Sequence, residues 1–168
     1  NPHNSVVCVT MGLRQILNEQ ELKGVIAHEL SHVKHRDILI STIAAMVGAG
    51  ITYLAYLGLF FGGDDDNPLS ALLLLIFGPM AAGLIRMAIS RSREFEADRE
   101  GAEIAGSPMG LANSLRKLES VNKRVPMKVP EAQSSLFIVA PLTGKKMAKF
   151  FMTHPPVEER IKRLEQMR

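Results

Sequence analysis

Residues 38–85 form a run of 48 positions in which the only charges are Asp64, Asp65 and Asp66. A soluble core has little room for that much apolar chain, so this run decides what the rest can be. Residues 38–61 are 24 uncharged positions. As a helix they would reach about 36 Å, more than the roughly 30 Å hydrocarbon core of a bilayer. Residues 69–85 supply 17 more, or about 22 if Arg86 lays its stem along the apolar surface and the helix continues to Ser90. Gly62-Gly63-Asp64-Asp65-Asp66-Asn67-Pro68 reads as the turn between them. Gly78-Pro79 is expected to kink the second helix, which lipid-embedded helices tolerate. The run therefore predicts a transmembrane hairpin, with spans 38–61 and 69–85 and turn 62–68. A buried helical hairpin in a soluble core is the weaker alternative by length.

All 20 Lys and Arg lie outside this insert, against 14 acids there, giving +6 outside and −3 within. Nucleic acid is not the expected partner, because aromatic residues are 5% of the chain and no basic run stands out. A membrane surface accounts for the bias better. Lys34, Arg36, Arg86, Arg91 and Arg93 flank the open end of the hairpin, while the turn has no Lys or Arg. By the positive-inside rule the open end faces the cytoplasm. The single cysteine, Cys8, excludes a disulfide framework and fits a reduced compartment. Between Val7 and Val9 it reads as a buried strand residue.

The flanking segments, residues 1–37 and 86–168, read as one charged domain wrapped around the 38–85 insert. Residues 5–10, SVVCVT, are rich in β-branched side chains and predict a short strand. Asn18 with Glu21 three residues on is a capping-box pattern, and Leu22, Val25, Ile26, Leu30 and Val33 follow at helical spacing. This helix is expected to run on into the first span. Residues 90–105 continue the second span as helix, and Ser107-Pro108 opens another that carries Leu111, Leu115, Leu118 and Val121. Residues 124–146 read as loop with a strand at 136–139, and the tail from Pro156 as a last helix with Val157, Ile161 and Leu164 inward. The fold class expected is mainly α with a small β element.

His28-Glu29-Leu30-Ser31-His32 carries the chemistry. Residues four apart on a helix lie about 40° apart around its axis, so His28 and His32 can offer two imidazoles to one metal ion. Glu29 sits beside them, placed to take a proton from a water held by that metal. An exposed polar helix turn is the bland reading, but chance yields this pattern in only about one such chain in a hundred. A catalytic zinc wants a third protein ligand and an open position. Downstream, Glu94 and Asp98 share a helical face, with Glu96 about 200° from Glu94. A solvated charge run would be the default reading there. The hairpin changes it, because a chain crossing twice returns to the side it left. His32 lies about 9 Å of helix before the first span and Glu94 about 13.5 Å after the second. Packed helices sit about 8–10 Å apart, so both arrive at one place. Glu94 is the expected third ligand, and Asp98 the acceptor that orients a ligand histidine. His35 shares the ligand face, but a fourth protein ligand would close the site, so it is read as structural. No role is read for His3.

HELSH, then an apolar hairpin, then SRSREFEADREGA, then THPPVEER resembles the HtpX-type membrane metalloproteases. These belong to the gluzincin group that also holds the CAAX prenyl endopeptidases. The likeness runs from NPHNSVVCVT to the end of the chain. It implies a zincin-like catalytic domain interrupted by a transmembrane hairpin, with one zinc ion held by His28, His32 and Glu94, and Glu29 catalytic. The family's E-x-x-x-D pattern falls on Glu94 and Asp98, favouring Glu94 over Glu96. Its H-P-x-x-x-x-R element falls on His154, Pro155 and Arg160, implying that His154 donates to the oxyanion and Arg160 holds the segment. Full-length relatives carry an N-terminal pair of spans before this start, so the chain is expected to be a C-terminal catalytic portion.

The function expected is a zinc endopeptidase of a bacterial-type inner membrane, multi-pass and facing the cytoplasm, that cleaves misfolded or membrane-associated polypeptides. Two alternatives share the zinc. A CAAX-type prenyl endopeptidase would be expected to need more spans enclosing a chamber. A non-catalytic zinc scaffold or sensor would have no use for Glu29.

Overall fold

A computed structural model of the chain describes residues 2–61, 68–124, 138 and 155–167. Among these are six helices: α1 (Met11–Ile16), α2 (Glu19–Lys34), α3 (Asp37–Phe61), α4 (Pro68–Ala105), α5 (Pro108–Arg124) and α6 (Val157–Gln166). No strand occurs among the described residues. The chain divides into two compact units, one of Asn1–Asp37 with Arg91–Arg168, the other Ile38–Ser90.

In the first unit the capping box forms as its sequence directs. The Asn18 side chain accepts from the Glu21 amide, and the Glu21 carboxylate accepts from the Asn18 amide, both at 2.9 Å. Lys117 of α5 donates to the same carboxylate at 2.7 Å, tying α2 to α5. The two helices meet backbone to backbone. A Cβ on Gly24 would lie 2.5 Å from the Leu111 nitrogen, and one on Gly110 would lie 2.5 Å from the Gln20 carbonyl oxygen. Around that contact Leu17, Val25, Ala102, Leu111, Ala112, Leu115, Ile161 and Leu164 form the buried core. Full burial of each large side chain among them contributes about 1.5–3 kcal/mol. On α6 the inward face is Ile161 and Leu164, as the tail's spacing predicts.

Among the described residues, the segment 5–10 expected as a strand has no ladder. Val6 is 94% exposed and Cys8 is exposed rather than buried. β-Branched residues favour extended backbone, but a strand needs a neighbour to hydrogen-bond. The run ends instead at Thr10, whose hydroxyl accepts from the Leu13 amide at 3.2 Å and caps α1. This helix, with Leu13 and Ile16 against the core, was not foreseen from the sequence. The strand expected at 136–139 lies outside the described residues, Ile138 apart, as does the turn at 62–67.

A second correction concerns α2, which does not run on into the apolar stretch. It ends at Lys34, and Arg36 takes φ +55°, a left-handed conformation that breaks the helix before α3 starts at Asp37. The break reaims Asp37, with consequences described below.

Asp37–Gly58, all but its first residue in the second unit, is, among the described residues, the one segment long and apolar enough to cross a membrane. Its Thr52 hydroxyl donates to the Gly48 carbonyl at 3.0 Å, so a polar group on an apolar helix is satisfied internally. Gly48 itself faces Ala82 and the Arg86 guanidinium of α4, at 3.5 and 3.3 Å from the position a Cβ would take. Small residues at such a contact let helix backbones approach closely. α4 is continuous through Gly78-Pro79 and carries Pro79 in its interior.

Candidate metal centre

One turn of α2 and the last third of α4 build the site. The close packing there depends on Gly101, since a Cβ at that position would lie 2.9 Å from both the Cα and the nitrogen of His28. Without a side chain at 101, the two backbones meet beside the first histidine. His28 and Ser31 are then fully buried, and Glu94 and Asp98 come under cover with them.

The Nε2 atoms of His28 and His32 face each other at 3.1 Å. Glu94 completes the group, with Oε2 3.8 Å from His28 Nε2 and Oε1 3.7 Å from His32 Nε2. One ligand atom from each of the three lies within 4.8 Å of the others. Glu96, by contrast, is exposed and pairs with Arg99 one turn on.

Each imidazole has a carboxylate behind it. Asp98 Oδ1 lies 3.1 Å from His28 Nδ1, and Asp37 Oδ2 lies 2.5 Å from His32 Nδ1. A carboxylate at Nδ1 favours the tautomer with its proton there, which leaves Nε2 as a lone pair, that of His28 with Arg160 Nη2 3.4 Å away. Two lone pairs aimed at one another across 3.1 Å cannot form a hydrogen bond. A cation between them relieves the repulsion. For zinc–nitrogen bonds of about 2.0–2.1 Å, a tetrahedral angle separates two nitrogens by about 3.3 Å. The donor set therefore fits a divalent metal held by two imidazoles and a carboxylate.

Arg160 enters from α6 with no exposed surface. Its Nε and Nη2 donate side-on to the two Asp98 oxygens at 2.8 and 2.6 Å. Its Nη1 lies 3.3 Å from Glu94 Oε2 and donates to the Ile138 carbonyl at 3.0 Å. Burial pushes the Asp98 carboxyl up, but the hydrogen bonds from Arg160 and then His28 hold it below the usual aspartate range. Burial would lower the Arg160 pKa, yet the facing Asp98, with Glu94 and Glu29 further off, raises it. Glu29 is half-buried beside His28 on α2, and its charge is felt at that guanidinium. Three carboxylates, Glu94, Asp98 and Asp37, thus surround the imidazoles against Arg160 and the more distant Arg93, a balance that favours a cation.

His35 turns away from this cluster. Its Nε2 sits 2.8 Å from Glu100, which also takes a 3.0 Å hydrogen bond from Ser31 and an ion pair from Lys34. That buried carboxylate joins α2 to α4 one turn beyond the metal site. His154 lies outside the described residues, while Pro155 is buried just before α6. Sequence reasoning missed Asp37. Its signal was an acid five residues after His32, masked by the expectation of unbroken helix, where a side chain at that offset points elsewhere.

Comparison with known proteins agrees with the resemblance carried by the three motifs. The family model described as Peptidase family M48 matches residues 2–168. A protein named protease HtpX homolog from Syntrophotalea carbinolica is 56% identical over 99% of this chain and 63% of its own length. Homologs of the same name from Salinibacter ruber and Thermodesulfovibrio yellowstonii are 54% and 50% identical, each over 99% of this chain and 61% and 62% of their own lengths. The chain thus spans about three-fifths of the length of these curated relatives. No solved structure matches it. With a peptidase family model matching from Pro2 to the last residue, and relatives above half identity, the chain belongs to peptidase family M48.

Proposed function

We propose that the chain is the catalytic part of a zinc-dependent membrane endopeptidase acting on misfolded or membrane-associated polypeptides at the cytoplasmic face of a bacterial-type inner membrane. The observation that carries this reading is the convergence of His28, His32 and Glu94, with Glu29 on the adjoining position of α2. In it, residues 1–37 and 86–168 form the catalytic domain, and residues 38–85 form a two-span hairpin. The positive flanks of that hairpin set its orientation.

His28, His32 and Glu94 would hold the zinc ion, which when bound supplies a Lewis acid that polarises the scissile carbonyl and makes water a nucleophile near neutral pH. Asp98 and Asp37 keep the two imidazoles in the tautomer that presents Nε2. Glu29 accepts the proton of the attacking water and delivers it to the leaving amine as the C–N bond breaks. His154 would donate to the tetrahedral oxyanion, a contribution of about 2.7–4 kcal/mol for such a donor. Arg160 holds Asp98 and donates to the Ile138 carbonyl. An extended substrate read through its main chain would give broad specificity.

Glu29→Gln tests the assignment. It should leave metal content unchanged and remove cleavage of an unfolded protein such as casein. Undiminished cleavage would end the role given to Glu29.

A further inference from the structure

The break between α2 and α3 has a chemical result. In a continuous helix residues 32 and 37 would be about 140° apart around the axis, with no contact between their side chains. The left-handed turn at Arg36 removes that offset and brings the first residue of α3 back over the last turn of α2. Asp37 Oδ2 then lies 2.5 Å from His32 Nδ1. Asp37 is 8% exposed, an unusual degree of cover for an acid at a helix start, and Arg93 of α4 donates to its carbonyl oxygen at 2.5 Å. The Asp37 main chain is therefore tied to the segment that carries Glu94, and its carboxylate lies 4.0 Å from the same guanidinium.

We propose that Asp37 is a positioning residue of the metal centre, fixing the tautomer and ring orientation of His32 as Asp98 does for His28. The inference rests on the reading of His32 as a metal ligand. The two imidazoles differ in their surroundings, since His28 is fully buried whereas the His32 side chain is 23% exposed. Packing restrains His28 whatever its partner does. His32 has fewer neighbours to hold it, so its orientation depends on the Asp37 contact. The backbone device that provides the contact is the Arg36 turn, so the start of the apolar helix and the geometry of one ligand are set together.

The test uses the full chain in detergent and zinc itself as the probe. Asp37→Ala should raise the zinc dissociation constant, measured by chelator competition, by roughly 10–100-fold, the usual cost of losing a ligand's hydrogen-bonded carboxylate. Imidazole nitrogen NMR of the metal-free protein should show His32 with its proton on Nδ1 in the parent and displaced toward Nε2 in Asp37→Ala, with His28 unchanged. A purely structural role would not move one histidine's tautomer alone. His32→Ala serves as the control and should abolish tight zinc binding. If His32→Ala abolishes binding while Asp37→Ala leaves affinity and tautomer as they were, the role of Asp37 is refuted and the ligand reading stands. If His32→Ala leaves binding intact, the ligand reading fails and this inference falls with it.

Discussion

Replacing Arg160 with Met tests the electrostatics of the site most severely. Arg160 has no exposed surface, and its guanidinium grips Asp98 at 2.6 and 2.8 Å while lying 3.3 Å from Glu94. Met fills a similar volume with no charge, leaving two buried carboxylates facing an apolar side chain. Breaking a buried pair by removing one partner costs about 3–5 kcal/mol, because the survivor is an uncompensated charge. Set against a total stability of about 5–15 kcal/mol for an ordinary domain, that is a large share. It corresponds to a fall in melting temperature of roughly 10–30 °C for a domain near 100 residues. The assay is thermal unfolding followed by circular dichroism, with a chelator present so that no metal offsets the acids. Asp98→Asn in the same background removes the charge that Arg160 balances. The double substitution should therefore be less destabilised than the sum of the singles, by at least about 2 kcal/mol. The pKa shifts point the same way. Burial alone raises Asp98, and without the Arg160 hydrogen bonds that now outweigh it the carboxyl would take up a proton at higher pH. Additive effects, or an Arg160→Met cost below about 1 kcal/mol, would refute the picture of a tightly coupled buried pair.

Two further perturbations probe the scaffold. Gly101→Ala places a methyl 2.9 Å from the His28 backbone and forces α4 away from α2. It should cost about 1–3 kcal/mol in thermal unfolding and weaken zinc retention in chelator competition. The Glu21 carboxyl, pushed up by burial but held down more strongly by Lys117 and the Asn18 amide, sits below its ordinary value of 4.5. A lowered folded-state pKa means its stabilisation is complete above 4.5 and is lost as pH falls through the folded value. Glu21→Gln should accordingly flatten the decline of the unfolding midpoint in that acid range, which a pH series of denaturant melts would show.

Much of the site was legible because its signals are local. HELSH on a capped amphipathic helix specifies which side chains share a face, and the Glu94–Asp98 spacing does the same on α4. The predicted helices at residues 90–105, from Pro108 and at the tail all form, the last two on clear apolar stripes. What the sequence concealed depends on tertiary contact or a single dihedral. The 5–10 segment has strand-forming residues, but composition cannot say whether a partner strand exists. Nothing in His35-Arg36-Asp37 announces a left-handed turn, since φ +55° is uncommon for an arginine and runs against its propensity. Asp37 was overlooked for that reason. Gly101 falls within the expected 90–105 helix, and only the tertiary contact with His28 reveals its part in the packing. Arg160 was assigned a holding role by resemblance, but not its side-on grip on Asp98.

The central claim is that two imidazoles of α2 and one carboxylate of α4 share a single divalent ion. Elemental analysis of the purified chain and of its Glu94→Ala and Glu96→Ala variants tests it most directly. The account predicts one zinc per chain in the parent and in Glu96→Ala, with the metal lost from Glu94→Ala after brief dialysis. Full zinc retention in Glu94→Ala, or its loss from Glu96→Ala instead, would contradict it.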